Sequence, residues 1–304
     1  MAVMRMGYAH VRVTDMADAK QHYANTMGLY QTLEQDGKVY YKAWDEWDHH
    51  SVVLEEGGVG LVKFGWKVEY SEDIDLIEKK AKAFGVTVER MSKGENPEIG
   101  DGIRFTTPSE HVFEVYHEAT LVGTEVGTHN PDAFPRHLVG VGVPALDHAL
   151  ITTSDVALKQ RFLGDVFDFY ATERVQTSLD DDAHLIATWL TSNNQIHQLA
   201  CLEGPQAKLH HFAFKLGDWQ EVGRAADLFS MDDVSIDIGP TRHGITRGQT
   251  VYFFDPAGNR NEVFAGGYPA YRDRPINIWT PEQLGKGIFY HARELNDRFT
   301  SVLT

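Results

Sequence analysis

The chain has 304 residues, enough for one large domain or two ordinary ones, and its 42% hydrophobic and 24% charged residues suit a soluble globular fold with its own core. A formal charge of −16 argues against nucleic acid or an anionic membrane surface as partner, because both are held by clustered Lys and Arg. Cys201 is the only cysteine, so no intrachain disulfide forms; with no apolar run near the ~20 residues of a membrane helix and no signal-like N-terminus, a cytoplasmic protein is expected.

In chain order, the first element is a short alternating strand in which Val11 and Val13 face one side and His10 and Arg12 the other. A helix follows, with Asp15 or Thr14 as N-cap and Gly28 as stop. Three further strands come next, with turn signals at Asp36-Gly37 and Pro108-Ser109, interrupted by a helix near Glu72 to Phe84. Residues 121–139 are rich in Gly and Pro without periodicity and read as a linker.

The same order then returns. Gly102–Tyr116 (GIRFTTPSEHVFEVY) matches Thr250–Phe264 (TVYFFDPAGNRNEVF) at an offset of 148, and VKFGWKV (Val62–Val68) matches HHFAFKL (His210–Leu216) at the same offset. Upstream, AHVRVTDMADAKQHYANTMGLY resembles DHALITTSDVALKQRFLGDVFDFY, which sets His10 against His148 at an offset of 138. The second copy has its helix near Asp218 to Phe229 and its turn at Asp255-Pro256-Ala257-Gly258. Two copies therefore fill about residues 5–120 and 140–265, each a βαβββ module with one added helix, curled into a half-open funnel. From Tyr268 a Pro-interrupted loop leads to a helical stretch, PEQLGKGIFYHARELNDRF. Its Leu284, Ile288, Phe289 and Leu295 can pack on the core or on a neighbouring subunit.

Only the second copy holds a full ligand set. His148, His211 and Glu262 take early-strand, middle-strand and last-strand positions that carry His10, Lys63 and Glu114 in the first copy. A protonated Lys does not coordinate a metal, so the first copy is expected to be empty. Strand parity puts Phe212, Phe214 and Leu216 under the helices and His211 in the funnel; it puts His210 on the Phe face, in a supporting role. Two imidazoles and one carboxylate on three strands form the facial triad of non-heme iron(II) enzymes, which leaves one face of the metal open. His49-His50 and Trp44/Trp47 read as surface packing. His111 and His117 flank Glu114 without completing a site, and Asp180-Asp181-Asp182 reads as a solvated turn.

The run Thr241–Glu262, TRHGITRGQTVYFFDPAGNRNE, resembles the signature segment of extradiol ring-cleavage dioxygenases. The similarity to the catechol 2,3-dioxygenase (metapyrocatechase) branch extends along nearly the whole chain, through KVYYKAWDEWDHHSVVL, KLHHFAF and the tail. The resemblance implies an α+β fold of tandem βαβββ modules of the vicinal oxygen chelate (glyoxalase-like) type. It implies Fe(II) on His148, His211 and Glu262, with catalytic roles for His197, on the strand before KLHHF, and for His243 and Tyr252. It also implies a homotetramer that takes a monocyclic catechol and dioxygen to a 2-hydroxymuconic semialdehyde in aromatic degradation. The corresponding domains are residues 1–139 (a module pair without metal, plus linker), 140–267 (the catalytic pair with the iron site) and 268–304 (the tail with its helix). Two rivals stay open at this point: a glyoxalase-like metal lyase or isomerase, and a non-catalytic aromatic-binding protein of the same superfamily.

Overall fold

The computed structural model describes residues 3–304. The first half runs β1 (Val3–Val13), α1 (Met16–Lys20) continued by a π-helical turn to Thr26, β2 (Tyr30–Gln35), β3 (Lys38–Lys42), β4 (Val52–Glu56), β5 (Gly60–Val68), α2 (Glu72–Ala83), β6 (Val88–Met91), β7 (Gly102–Thr106) and β8 (Val112–Tyr116). The second half repeats it with β9 (Leu146–Thr153), α3 (Val156–Phe167), β10 (Tyr170–Gln176), β11 (Leu185–Thr191), β12 (Leu199–Glu203), β13 (Lys208–Lys215), α4 (Trp219–Met231), β14 (Ile236–Arg242), β15 (Gly248–Phe254) and β16 (Arg260–Gly266). Each half thus has eight strands, twice the four read from the sequence. The helix taken as an addition opens a second βαβββ unit. Short strands such as β2 and β6 carry polar, half-exposed residues that give no clear alternation.

Both sheets are built alike. Their orders are β2-β3-β4-β1-β5-β8-β7-β6 and β14-β15-β16-β13-β9-β12-β11-β10, the latter continued by a tail strand, β17 (Asn277–Trp279). In each, the first strands of the two units, β1/β5 and β9/β13, lie antiparallel at the centre. The helices start where local chemistry says they should. Asp15, Asp155 and Asp218 cap α1, α3 and α4 by accepting first-turn N–H groups. The helix-facing sides of both sheets share one apolar core, in which Trp66 packs edge-on to Phe167 at 5.9 Å and Phe84 to Phe162 at 5.1 Å.

The register corrects one pairing of the repeat. Phe64 faces Ala9 and Gly65 faces Tyr8 in the first sheet; Phe212 faces Ala149 and Ala213 faces His148 in the second. With β5 and β13 in the 148-residue frame, the counterpart of His148 is Tyr8, not His10. The true offset there is 140, which also superposes the two helix caps Asp15 and Asp155.

The tail folds back on its own half of the chain. β17 runs parallel to β10, α5 (Leu284–Ile288) and α6 (Asp297–Ser301) are single turns, and Thr304 pairs with Leu209 through both backbone groups at 2.7 and 2.9 Å. Phe289 and Phe299 are buried, whereas Leu295 stays 39% exposed. The long helix expected here does not form. Gly285 lies so close to the Arg293 carbonyl that a Cβ would meet it at 2.0 Å, so the chain turns back on itself instead of continuing. Among the described residues no helix is long and apolar enough to cross a membrane.

Candidate metal centre

Three neighbouring strands, β9, β13 and β16, carry the site. His148, Ala213 and Glu262 lie in one row across them, and the small Ala213 leaves the space above it to its two neighbours. His211 reaches that space from the next row. Nε2 of His148 is 3.1 Å and Nε2 of His211 3.0 Å from the same carboxylate oxygen, Oε2 of Glu262. All three side chains are buried, and they offer ligand atoms within 4.8 Å of one another.

The remaining polar atoms are already engaged. Glu262 Oε1 accepts from the Thr250 hydroxyl at 2.6 Å, His148 Nδ1 faces Asp147 Oδ2 at 2.7 Å, and His211 Nδ1 faces His210 Nδ1 at 2.7 Å. Three donors that converge while their far sides are occupied fit a divalent cation. Electrostatics agrees. Burial pushes Glu262 up, but the two imidazoles outweigh it and hold the carboxyl well below its ordinary range. Burial lowers both histidines; Glu262 and Asp147 together reverse this for His148, which rises to about 9, while His211, with one carboxylate, falls to about 4.

His210 is not on the Phe face. A β-bulge between Leu209 and His211 breaks the alternation, so Leu209 and Phe212 both enter the core and the two histidines both lie on the site side. His210 Nε2 contacts the Phe299 carbonyl at 2.8 Å, and burial with the nearby His211 keeps its pKa well below the usual value.

His197 lies in the turn ahead of β12 rather than on the strand. Its ring centre is 4.0 Å from that of His148. It is 3% exposed, and its Nδ1 has no hydrogen-bond partner among the described residues. Burial, then the neighbouring His148, keeps it neutral. Tyr252 sits opposite Glu262 in the β15–β16 ladder, with its ring edge-on to His211 at 5.1 Å. His243 follows β14; its Nε2 is 2.9 Å from the Tyr252 hydroxyl and its Nδ1 contacts the Ile288 carbonyl. The structure therefore brings all six singled-out residues to one chamber, walled by Leu150, Trp189, Ile245, Phe264, Ile288 and Phe299. An open cleft of about 1030 Å³ shares His243 with the chamber and leads to solvent.

Sequence reasoning missed Asp147, Thr250 and Phe299, and read Ile288 only as an apolar tail residue. Asp147 immediately precedes His148, and Thr250 shares a strand face with Tyr252, so both had a local signal; Phe299 had none. In the first half, the equivalent carboxylate is filled by protein. Glu114 accepts from Lys63 (2.9 Å), Arg104 (2.6 Å), Asn96 (2.7 Å) and the Tyr8 hydroxyl. His10 instead faces Glu55 at 2.9 Å. His111 and His117 hydrogen-bond to the Lys208 and Val68 carbonyls. His49 and His50 are buried beside Tyr8 and Tyr40, not on the surface as expected.

Comparison with known proteins agrees with this architecture. Residues 145–263 match the Glyoxalase/Bleomycin resistance protein/Dioxygenase superfamily, and residues 63–120 the catechol 2,3-dioxygenase-like N-terminal domain. A metapyrocatechase of Pseudomonas sp. (strain CF600) is 41% identical over 99% of both chains. The chain belongs to the metapyrocatechase family of extradiol dioxygenases. Within that family, the crystal structure of the 2,3-dioxygenase LapB from Pseudomonas sp. KL28 superposes with a TM-score of 0.88 at 40% identity, covering 92% of this chain and 98% of that one. A more distant relative, a manganese-dependent 2,3-dihydroxybiphenyl 1,2-dioxygenase of Geobacillus genomosp. 3, is 25% identical over 96% of this chain and 95% of its own length.

Proposed function

We propose that this dioxygenase opens a monocyclic catechol beside its two hydroxyls, at iron(II) held by His148, His211 and Glu262. The observation that carries the reading is the convergence of both imidazole Nε2 atoms on one buried carboxylate oxygen. Bound iron(II) supplies open positions for two catechol oxygens and dioxygen, and a path for electron density between them. The residues around it do the rest. Catechol must lose protons to chelate, and His243, joined to the Tyr252 hydroxyl, is a suitable acceptor. Burial and Glu262 hold the Tyr252 phenol far above its ordinary value, so it keeps its proton. Its hydroxyl donates to His243 Nε2 while His243 is neutral, and to a substrate oxygen once His243 has taken up a substrate proton. His197, buried and neutral with a free ring nitrogen, serves negative charge that develops on oxygen and then moves a proton. Trp189, Ile245, Phe264 and Phe299 give the chamber an apolar wall that keeps water from the ring. The product is a 2-hydroxymuconic semialdehyde that keeps both oxygen atoms.

Iron is preferred over manganese on the resemblance, since a two-imidazole, one-carboxylate set accepts either ion. A homotetramer is supported by exposed Leu121, Val122, Phe134 and Val139 in the segment joining the halves, and is checked by light scattering. A reducing, cytoplasmic setting suits the lone buried Cys201 thiol.

The test is anaerobic reconstitution with iron(II) or manganese(II), addition of catechol, then air. A yellow product formed one-for-one with oxygen consumed supports the reading. Turnover with zinc and without oxygen would favour the lyase reading, and aromatic binding without metal would favour a binding protein.

A further inference from the structure

Between the tail and one of the proposed metal ligands stands His210. A carbonyl oxygen only accepts, so the 2.8 Å contact between His210 Nε2 and the Phe299 carbonyl requires the proton on Nε2. The Nδ1 of a neutral His210 is then bare, and it faces His211 Nδ1 at 2.7 Å. That contact is a hydrogen bond only when His211 carries its proton on Nδ1. A neutral His211 in this tautomer keeps its Nε2 lone pair free, 3.0 Å from Glu262 Oε2, where the ligand set converges. The reverse arrangement would turn a His210 lone pair against the lone pairs of the carbonyl.

His148 reaches the same tautomer by another route, since its Nδ1 faces the Asp147 carboxylate at 2.7 Å. Asp147 is the preceding residue of the same strand and needs no help from elsewhere. His210 is an acceptor for His211 only while its far nitrogen is anchored, and that anchor belongs to α6. The anchor is built in. The Phe299 ring packs edge-on to His210 at 4.6 Å and to Tyr252 at 4.8 Å, and Arg260 Nη1 bridges the carbonyls of His210 and Val302.

We propose that His210 is a positioning residue for the metal centre: held by the tail carbonyl of Phe299, it selects the tautomer in which His211 Nε2 binds a metal. Docking of the tail and readiness of the ligand set are then one equilibrium. When α6 lifts, His210 loses its anchor, His211 loses its fixed acceptor, and the metal is held less tightly. The inference rests on the ligand assignment proposed above.

The test compares H210L with H210Q. Leu removes the relay, whereas Gln keeps an acceptor oxygen for His211 and a donor nitrogen for the carbonyl. Metal dissociation constants are read by chelator competition on the manganese-loaded protein, without substrate. Loss of a partner behind a metal-bound histidine weakens binding about 10–100-fold, so H210L falls in that range and H210Q returns to within about threefold of the parent. Equal affinities for H210L and the parent, or equal losses in H210L and H210Q, overturn the proposal. H211A, measured alongside, separates the two readings: if it loses metal while H210L does not, the ligand assignment stands and the relay falls. Should H210L fail to fold, nitrogen-15 spectra of the zinc-loaded parent decide. His210 as the Nε2–H tautomer and His211 as Nδ1–H support the relay, and His210 protonated at Nδ1 overturns it.

Discussion

Arg260→Met isolates the latch that holds the tail against the chamber. Arg260 is 1% exposed, and its guanidinium makes four bonds. Nε donates to Asp237 Oδ2 at 2.9 Å, Nη1 to the carbonyls of His210 (3.3 Å) and Val302 (2.8 Å), and Nη2 to that of Arg298 (3.2 Å). Methionine keeps the apolar stem and removes all four. Breaking a buried ion pair from one side costs about 3–5 kcal/mol, and because Asp237 keeps Arg298 as a second cation, the low end, about 3 kcal/mol, applies. With an unfolding entropy near ~2.1 cal/mol/K per residue, a chain of 304 residues loses about 5 °C of melting temperature. Two of the four bonds end on the tail, so the loss is concentrated there and α6 opens before the sheets do. Phe299 then leaves the chamber wall and the KM for catechol rises. The assay is a thermal melt of the metal-loaded protein with limited trypsin digestion at Arg293 and Arg298. A melt within about 1 °C of the parent, with unchanged cleavage at both sites, would refute the latch, since a release this size must lower one or the other.

H211A and E262A should lose bound metal together with turnover, read by elemental analysis after gel filtration; full metal content in either would remove that residue from the ligand set. H197N should keep its metal and slow kcat about 10²–10⁴-fold, and an unchanged kcat would take His197 out of the chemistry. Burial pulls Lys159 down from 10.5 to about 7, with its ammonium bonded to Thr107 across the two halves. Between those values the unfolded chain binds the extra proton, so stability rises with pH by up to ~1.4 kcal/mol per unit. Below about 7 both states are protonated and that gain is absent. The parent-minus-K159M difference in urea unfolding should therefore grow from neutral to alkaline pH, and a flat difference would contradict a depressed lysine. Y8H/K63H should add a second, weaker metal per chain, because Arg104 still competes for Glu114. If K63H alone gains the metal, His10 and not Tyr8 is the counterpart of His148.

The candidate ligand set was legible because the repeat singles out several positions at once. The 148-residue frame fixes Lys63 against His211 and Glu114 against Glu262 without reference to chemistry. The early strand failed because histidine was matched to histidine. Asp15 and Asp155, whose side chains both cap helices, would have set the frame at 140 and put Tyr8 opposite His148. A cap is a demand of backbone geometry and is met in both halves, whether or not a half carries the ligand set.

The features that stayed hidden share one cause, which is that their partners are distant in sequence. The bulge left one trace, two histidines between Leu209 and Phe212 where alternation allows one residue. The tail left none, because its place is set by Arg260 and Arg298 meeting Asp237, and by Thr304 pairing with Leu209. The first half makes the same point. Lys63 alone was visible as a residue unsuited to a metal, yet the Glu114 carboxylate is engaged by side chains from β1, β5, β7 and the loop between β6 and β7. A buried carboxylate needs its charge answered. In one half four protein donors answer it, and in the other two imidazoles stand ready to share that task with a cation. The difference between the halves is therefore what completes the coordination of one buried Glu, and that sum over four strands is not written in any single segment.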